Sequence, residues 1–132
     1  MKRKNGWQYQ SIESLEECDY GNPTTASTAL VEKCLSYVKL PVNTLNVEQL
    51  RLLIGQEIGL LYLIPLALDE LNKNILAEGD MYEGDLLKNI TSVPPAFWIN
   101  NRELYEEVKL LLEVNSQKIS EAGINITSFP NL

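Results

Sequence analysis

An uninterrupted apolar run over residues 58–68, I-G-L-L-Y-L-I-P-L-A-L, limits the possible folds of this chain more than any other feature. The run is too short to cross a lipid bilayer, which takes roughly 18 or more residues. Polar residues close both ends, with Gln56 and Glu57 before the run and Asp69 and Glu70 after it. The run therefore predicts a buried core helix, and we expect no membrane association.

Helix-breaking residues divide this apolar region. Asn46 is a good N-cap for an apolar stripe that Gly55 and Gly59 then interrupt, and Pro65 falls inside the run. In a helix interior, glycine costs about 1 kcal/mol and proline about 3 kcal/mol. One straight helix is therefore disfavoured, and we predict two helices that separate between the two glycines. Pro65 either kinks the second helix or lies in its first turn.

Four other segments carry helix signals. Ser11 is a candidate N-cap for a short helix, and apolar residues recur at helical spacing over residues 24–39. Asp85 is predicted to cap another short helix, because an aspartate side chain can accept hydrogen bonds from the free N–H groups of a first turn. Asn100, with Glu103 three residues later, fits a capping box at the start of the last long helix.

No segment alternates convincingly between apolar and polar residues. Residues 124–129 are the only candidate strand, and residues 93–95, V-P-P, predict a rigid connector. The predicted fold class is therefore all-α, a compact single-domain array of about five or six helices. We expect residues 1–10 to form a flexible tail and residues 11–132 a single helical domain.

Several single residues are predicted to serve packing. Cys18 and Cys34 form no C-x-x-C pair and are interpreted as reduced packing residues. Phe97 and Trp98 are expected in the core. Gln56 is expected to be a buried amide that satisfies the interrupted helix, because buried polar groups need hydrogen-bond partners.

The charge of the chain is negative and uneven. Its 11 basic and 18 acidic residues give a net charge of −7, and three of the bases are Lys2, Arg3 and Lys4, so the rest of the chain carries −10. Such a body disfavours direct nucleic-acid binding, which needs phosphate neutralisation, and favours a basic protein partner. No apolar stretch follows the basic start, so we expect no secretory signal.

The available side chains argue against catalysis. The chain has no histidine, which removes the commonest general base and the commonest transition-metal ligand. It also lacks the glycine-rich motifs that cradle nucleotide phosphates. We therefore expect a protein that is not an enzyme and has no cofactor and no metal.

The stretch L-A-E-G-D-M-Y-E-G-D-L-L, residues 76–87, raises a separate question. From Asp69 to Asp85 the chain has six acidic residues and one base, Lys73. A metal site is one interpretation, although the EF-hand spacing is absent. A second is turn and helix-cap chemistry at Gly79-Asp80 and Gly84-Asp85. A third is an acidic face for a cationic protein.

Three motifs in order, L-R-L-L-I-G-Q (residues 50–56), L-I-P-L-A-L (63–68) and Y-E-G-D-L-L (82–87), followed by F-W, resemble the immunity proteins of bacterial contact-dependent growth inhibition. The resemblance begins around Ser14-Leu15 and weakens beyond Trp98. It implies a cytoplasmic, non-catalytic, mostly helical protein. The implied partner is the toxic C-terminal domain of a larger secreted or surface protein, and such toxins are often basic nucleases.

Residues shared across such a family are expected to stabilise the fold. Residues that distinguish one toxin from another should lie outside the shared motifs. We therefore predict structural roles for Gln56, Gly84 and Asp85. The predicted toxin-binding residues are Asp69, Glu70, Glu78, Asp80 and Glu83, with Tyr82 as an anchor. Two rival hypotheses remain, a small acidic helical adaptor or regulator of other proteins, and an enzyme or metal protein that uses the acidic stretch.

Overall fold

The computed structural model describes residues 5–132, and within them the chain forms eight α-helices and no strand. The helices are α1 (Ile12–Glu16), α2 (Ala29–Tyr37), α3 (Val47–Gly55), α4 (Leu60–Lys73), α5 (Asp85–Thr91), α6 (Pro95–Asn100), α7 (Arg102–Val114) and α8 (Ser116–Glu121). Five of them have seven or more residues, so the all-α prediction is confirmed. Short 3-10 turns cover Trp7–Tyr9, Pro23–Thr25 and Val42–Thr44.

Local capping explains several helix boundaries. The side chain of Ser11 accepts a hydrogen bond from the Ser14 N–H at the start of α1. Asn46 and Gln49 form a reciprocal capping box at the start of α3. The predicted separation of two helices is confirmed, because α3 ends at Gly55 and Gly59 precedes α4 in the left-handed conformation. Pro65 lies inside α4, so its placement in a first turn is wrong.

Other boundaries differ from the prediction. Thr28 caps α2, so this helix covers nine residues and not the whole of residues 24–39. The two prolines do not form a mere connector, because Pro95 occupies the first turn of α6, where its missing N–H costs nothing. The predicted capping box at Asn100 and Glu103 is wrong, because Asn100 is the last residue of α6 and Asn101 precedes α7 without a side-chain cap. Residues 124–129 are irregular.

The core lies between α3, α4, α5 and α7. Its fully buried side chains include Leu53, Leu63, Ile64, Leu86, Leu87, Ile90 and Val108. Trp98 is also fully buried, as predicted, and its indole N–H donates to the Val93 carbonyl at 3.2 Å. Of the two free cysteines, Cys34 is buried, whereas Cys18 is exposed and is not a packing residue.

The two ends of the described chain pack against the helices. The Trp7 ring lies 5.9 Å from the Tyr62 ring of α4. Residues 1–4 of the predicted flexible tail lie outside the described residues, and the flexibility of the tail stays a prediction. At the other end, Phe129 stacks on Tyr105 at 5.0 Å, and the Tyr105 hydroxyl donates to the Pro130 carbonyl. These contacts attach the C-terminal segment to α7.

Candidate functional site

The acidic stretch lies in the connection between α4 and α5. We call residues 78–83 the acidic loop; it ends at Gly84, which precedes α5 with φ of 86°. Asp85 is the first residue of α5 and does not cap that helix, so the predicted N-cap is wrong. Its carboxylate points back into the loop instead, because the N–H groups it binds belong to the residues before it.

Asp85 organises the backbone of the acidic loop. Its side chain is buried, and its Oδ1 accepts the Gly79 N–H at 2.7 Å. Its Oδ2 accepts the Met81 N–H at 3.0 Å and the Tyr82 N–H at 3.3 Å. One buried carboxylate thus satisfies three backbone donors that no regular secondary structure would satisfy.

Two side chains of α3, Glu48 and Arg51, connect that helix to the acidic loop and to Asp85. The Arg51 guanidinium donates from Nε and from its terminal nitrogen to the two oxygens of Glu48, each at 2.6 Å. Glu48 Oε1 also accepts the Asp80 N–H at 2.7 Å, and Arg51 Nε lies 3.7 Å from Asp85 Oδ2. We call Glu48, Arg51 and Asp85 the carboxylate clamp. It joins α3, α5 and the loop in one network.

The clamp also sets the ionisation of Glu48. Its hydrogen bonds with the Arg51 guanidinium hold the pKa of Glu48 below the usual value, and the Asp80 N–H acts in the same direction. Partial burial opposes this shift without cancelling it. The same pairing raises the pKa of Arg51. Both groups are therefore charged near neutral pH, and a bidentate charged pair has a defined geometry.

Two glycines allow the loop to approach its supports. A Cβ atom on Gly79 would stand 2.5 Å from Glu48 Oε1 and 3.1 Å from Asp85 Oδ2, so a side chain there would displace the clamp. A Cβ atom on Gly84 would overlap the Ile124 side chain, and its positive φ is itself unfavourable for other residues. The two glycine positions in the stretch therefore follow from close packing.

The remaining loop side chains point into solvent. Glu78, Asp80, Tyr82 and Glu83 are exposed, Tyr82 by 50 % and the neighbouring Met81 by 66 %. With respect to residues 5–132, the carboxylates of Glu78, Asp80 and Glu83 make no hydrogen bond and no ion pair within 4.0 Å. The loop therefore presents three unpaired negative charges next to two exposed large side chains.

The other predicted site residues lie elsewhere. Asp69 is exposed on the side of α4 that faces α7, and Glu70 lies 3.6 Å from Lys73 on the same helix. The structure thus groups four of the six predicted toxin-binding residues in one loop and places two on α4.

Gln56 is exposed at the end of α3, where its backbone N–H and not its amide makes the helix-ending hydrogen bonds. Its prediction as a buried amide is wrong.

Sequence reasoning missed Glu48. A glutamate three residues before an arginine on an exposed helix face is common, and only the fold shows that this pair lies under the loop. Its partner Arg51 is an internal ion-pair residue and not a free surface group. Among the described residues, no three histidine, cysteine, aspartate or glutamate side chains come together as metal ligands. The arrangement offers charge and contact area for binding.

A model of one protein family matches residues 14–108, which is more than half of the chain, and its description is CDI immunity proteins, where CDI is contact-dependent growth inhibition. The chain belongs to this family. The matched range of this immunity protein contains the carboxylate clamp and the acidic loop, and it ends inside α7. No curated protein and no solved structure matches the chain.

Membership of this family identifies a toxin-neutralising protein in general terms. It agrees with the resemblance that the three sequence motifs indicated, and the match begins at Ser14, where that resemblance begins. In the part of the immunity protein that the structure describes, no helix is long and apolar enough to cross a membrane.

Proposed function

We propose that this immunity protein binds the toxic C-terminal domain of a larger secreted or surface protein and neutralises it stoichiometrically, in the cytoplasm and without catalysis. We further propose that the toxin is a basic nuclease and that the acidic loop contacts its cationic surface. The observation that carries this proposal is the set of unpaired carboxylates of Glu78, Asp80 and Glu83 on a loop held by the carboxylate clamp.

The clamp supports this assignment because its carboxylates hold the loop in place, whereas the exposed carboxylates of the loop remain available to a partner. Glu48 and Asp85 use their oxygens on Arg51 and on backbone N–H groups, so they are not available to a partner. The exposed carboxylates of the loop make no such hydrogen bond or ion pair with residues 5–132. A loop fixed in one shape loses little conformational entropy when it binds, which favours affinity.

The charge of the chain supports a cationic partner and argues against direct binding to nucleic acid. The net charge is −7, and association between oppositely charged proteins is fast at low salt. Tyr82 adds a large amphipathic side chain, the type that is enriched at binding hot spots. We infer that Tyr82 contacts the toxin at the centre of the acidic loop and that Asp69 and Glu70 extend the contact along α4.

The test is co-purification of this chain with the toxin domain encoded immediately upstream, followed by affinity measurements over a salt series. The variant Glu78→Lys/Asp80→Lys/Glu83→Lys reverses the loop charges. Its matched control is Glu17→Lys/Glu57→Lys/Glu121→Lys, which makes the same change in net charge at exposed positions outside the loop. We expect the loop variant to lose at least about a hundredfold in affinity and the control to lose less than about tenfold.

Each result has a distinct meaning. Tight wild-type binding that weakens with salt and is lost only in the loop variant supports the proposed surface. Tight binding that both variants retain keeps the immunity function and places the interface elsewhere. If the wild-type chain does not bind the upstream domain at all, the toxin assignment fails and the adaptor hypothesis is favoured.

A further inference from the structure

A groove between α4 and α7 lies outside the acidic loop and shares only Asp69 with the surface proposed above. Two adjoining depressions of about 550 and about 650 Å³ run along it and share Pro65 and Glu107. Leu61 of α4 lies near the start of α7, and Asn72 lies near its end, so the two helices run in the same direction. We call this feature the α4–α7 groove.

The α4–α7 groove exposes apolar side chains at its far end. Leu110 is 60 % exposed and Val114 is 75 % exposed, and they lie four residues apart on one face of α7. Leu68 and Pro65 of α4 line the same depression. Isolated exposed apolar residues are common on protein surfaces, but here they share a groove with the apolar side chains of a second helix.

The charged residues that line the α4–α7 groove are mostly acidic. They are Asp69 on α4 and Glu103 and Glu107 on α7, with Arg102 as the one base among the described lining residues. Arg102 is already engaged, since it lies 3.7 Å from Glu106 and over the Tyr105 ring. A cationic occupant would therefore meet uncompensated negative charge, whereas an anionic one would be repelled.

The acidic and the apolar residues of α7 occupy different halves of the groove. Glu103, Glu107, Leu110 and Val114 are spaced by four, three and four residues, so they form one stripe on the helix. The first half of the stripe is acidic and the second half is apolar. A third helix that packs along such a stripe needs basic residues over the first half and apolar residues over the second.

We propose that the α4–α7 groove binds a cationic amphipathic helix of the toxin domain, with its Lys or Arg residues at Asp69, Glu103 and Glu107 and its apolar residues on Leu110 and Val114. This inference rests on the proposed immunity function and adds a second contact surface to it. Asp69, predicted from the sequence as a toxin-binding residue, belongs to this groove. The distal half of the stripe lies beyond residue 108, where the family match ends.

The test measures the affinity of variants for the toxin domain encoded immediately upstream. Leu110→Ser/Val114→Ser removes the apolar half of the stripe. The matched control is Leu30→Ser/Val31→Ser on α2, which changes the same residue types at positions that are 41 % and 39 % exposed. Thermal melts of both variants verify that they are folded. We expect the groove variant to bind at least about tenfold more weakly, and the control to bind within about threefold of wild type.

The salt dependence separates the two halves of the stripe. Glu103→Lys/Glu107→Lys should weaken binding and flatten its salt dependence, whereas Leu110→Ser/Val114→Ser should weaken binding and leave the salt dependence unchanged. Hydrogen exchange of the wild-type complex should show slowed exchange in α4 and α7.

Three results would overturn the proposal. One is a tight wild-type complex that the folded groove variant retains within about threefold, which would leave the immunity function intact. The second is a concentration-dependent dimer that Leu110→Ser/Val114→Ser abolishes, which would assign the groove to a second copy of this chain. The third is the absence of any wild-type complex, in which case the groove proposal fails together with the toxin assignment.

Discussion

The carboxylate clamp and the α4–α7 groove both place acidic side chains beside apolar helices, but they use them differently. In the clamp, Glu48 and Asp85 are largely buried and every carboxylate oxygen has a donor. In the groove, Glu103 and Glu107 are exposed beside Leu110 and Val114, which are exposed as well. The difference separates carboxylates that hold the fold from carboxylates that remain available to a partner.

The same contrast exists between two aspartates that lie five residues apart, Asp80 in the acidic loop and Asp85 at the start of α5. Asp80 contributes its backbone N–H to the clamp and leaves its carboxylate in solvent, while Asp85 does the reverse and buries its carboxylate. Residue type alone therefore does not predict function here. Variants that change either the buried or the exposed carboxylates, and keep the other set, test this comparison directly.

The largest effect is expected for Asp85→Asn. The amide retains one acceptor oxygen and places N–H groups against backbone donors, so we expect a loss of about 3 to 4 kcal/mol in the free energy of unfolding, measured by urea denaturation. The control is Asp80→Asn, the same substitution on an exposed side chain, with an expected change below about 0.5 kcal/mol. Equal stabilities of the two variants would show that the clamp does not hold the loop.

A smaller loss is expected for Gly84→Ala. The substitution combines an unfavourable φ with overlap onto Ile124, which should cost about 2 to 3 kcal/mol in thermal or urea unfolding. Gly123→Ala is the matched control, because Gly123 also has positive φ but its added Cβ would contact nothing, so only about 1 to 2 kcal/mol is expected. If the two losses are the same, the close contact with Ile124 has no energetic importance.

Glu48→Gln should have an effect that depends on pH. At pH 7 the loss of the charged pair should lower the free energy of unfolding by about 1 to 2 kcal/mol, between the values typical of buried and exposed pairs. Because the pKa of Glu48 is lowered on folding, its contribution is complete above the unfolded value of 4.5 and is lost as the pH falls through the folded value.

Urea unfolding of wild type and Glu48→Gln at a series of pH values checks this expectation. The difference between the two proteins should be largest near neutral pH and should shrink steadily below about pH 4.5. A difference that stays constant down to pH 3 would mean that the carboxylate charge is not what stabilises the clamp.

The smallest effect on stability is expected for Glu78→Gln/Asp80→Asn/Glu83→Gln. These side chains make no ion pair or hydrogen bond with residues 5–132, so the free energy of unfolding should change by less than about 0.5 kcal/mol. The affinity for the toxin domain should nevertheless fall. A clear loss of stability in this variant would remove the distinction between structural and available carboxylates.

Much of the helical architecture follows from local sequence signals. The capping box at Asn46 and Gln49 and the interruption between Gly55 and Gly59 depend on residues only a few positions apart, and both are visible without a fold. Helix α6 was missed because Pro94 and Pro95 are compatible both with an extended connector and with a first helical turn. Only the burial of Trp98 against Tyr105 of α7 and Phe129 selects the second possibility.

The candidate site was less predictable because its contacts join distant residues. Asp85 is the first residue of a helix, where local rules predict a cap. Its carboxylate oxygens instead accept hydrogen bonds from the backbone of the loop, which also contacts α3. Glu48 is 32 residues from the Asp80 N–H that it binds.

Leu30 and Val31 have the helical spacing of core residues, yet α2 lies at the edge of the helix array and leaves them partly exposed. Periodicity predicts which face of a helix is apolar and does not predict how fully it is covered.

The contact between Gly84 and Ile124 has a consequence for the order in which the loop and its supports are assembled. Ile124 packs against the end of the acidic loop, and the neighbouring Asn125 carbonyl accepts a hydrogen bond from Lys88 of α5 at 2.6 Å. Because the ribosome makes the chain from its N-terminus, the loop residues are synthesised well before these supports. A nascent chain therefore carries a complete acidic loop sequence that still lacks part of its packing until residues 124 and 125 have been synthesised.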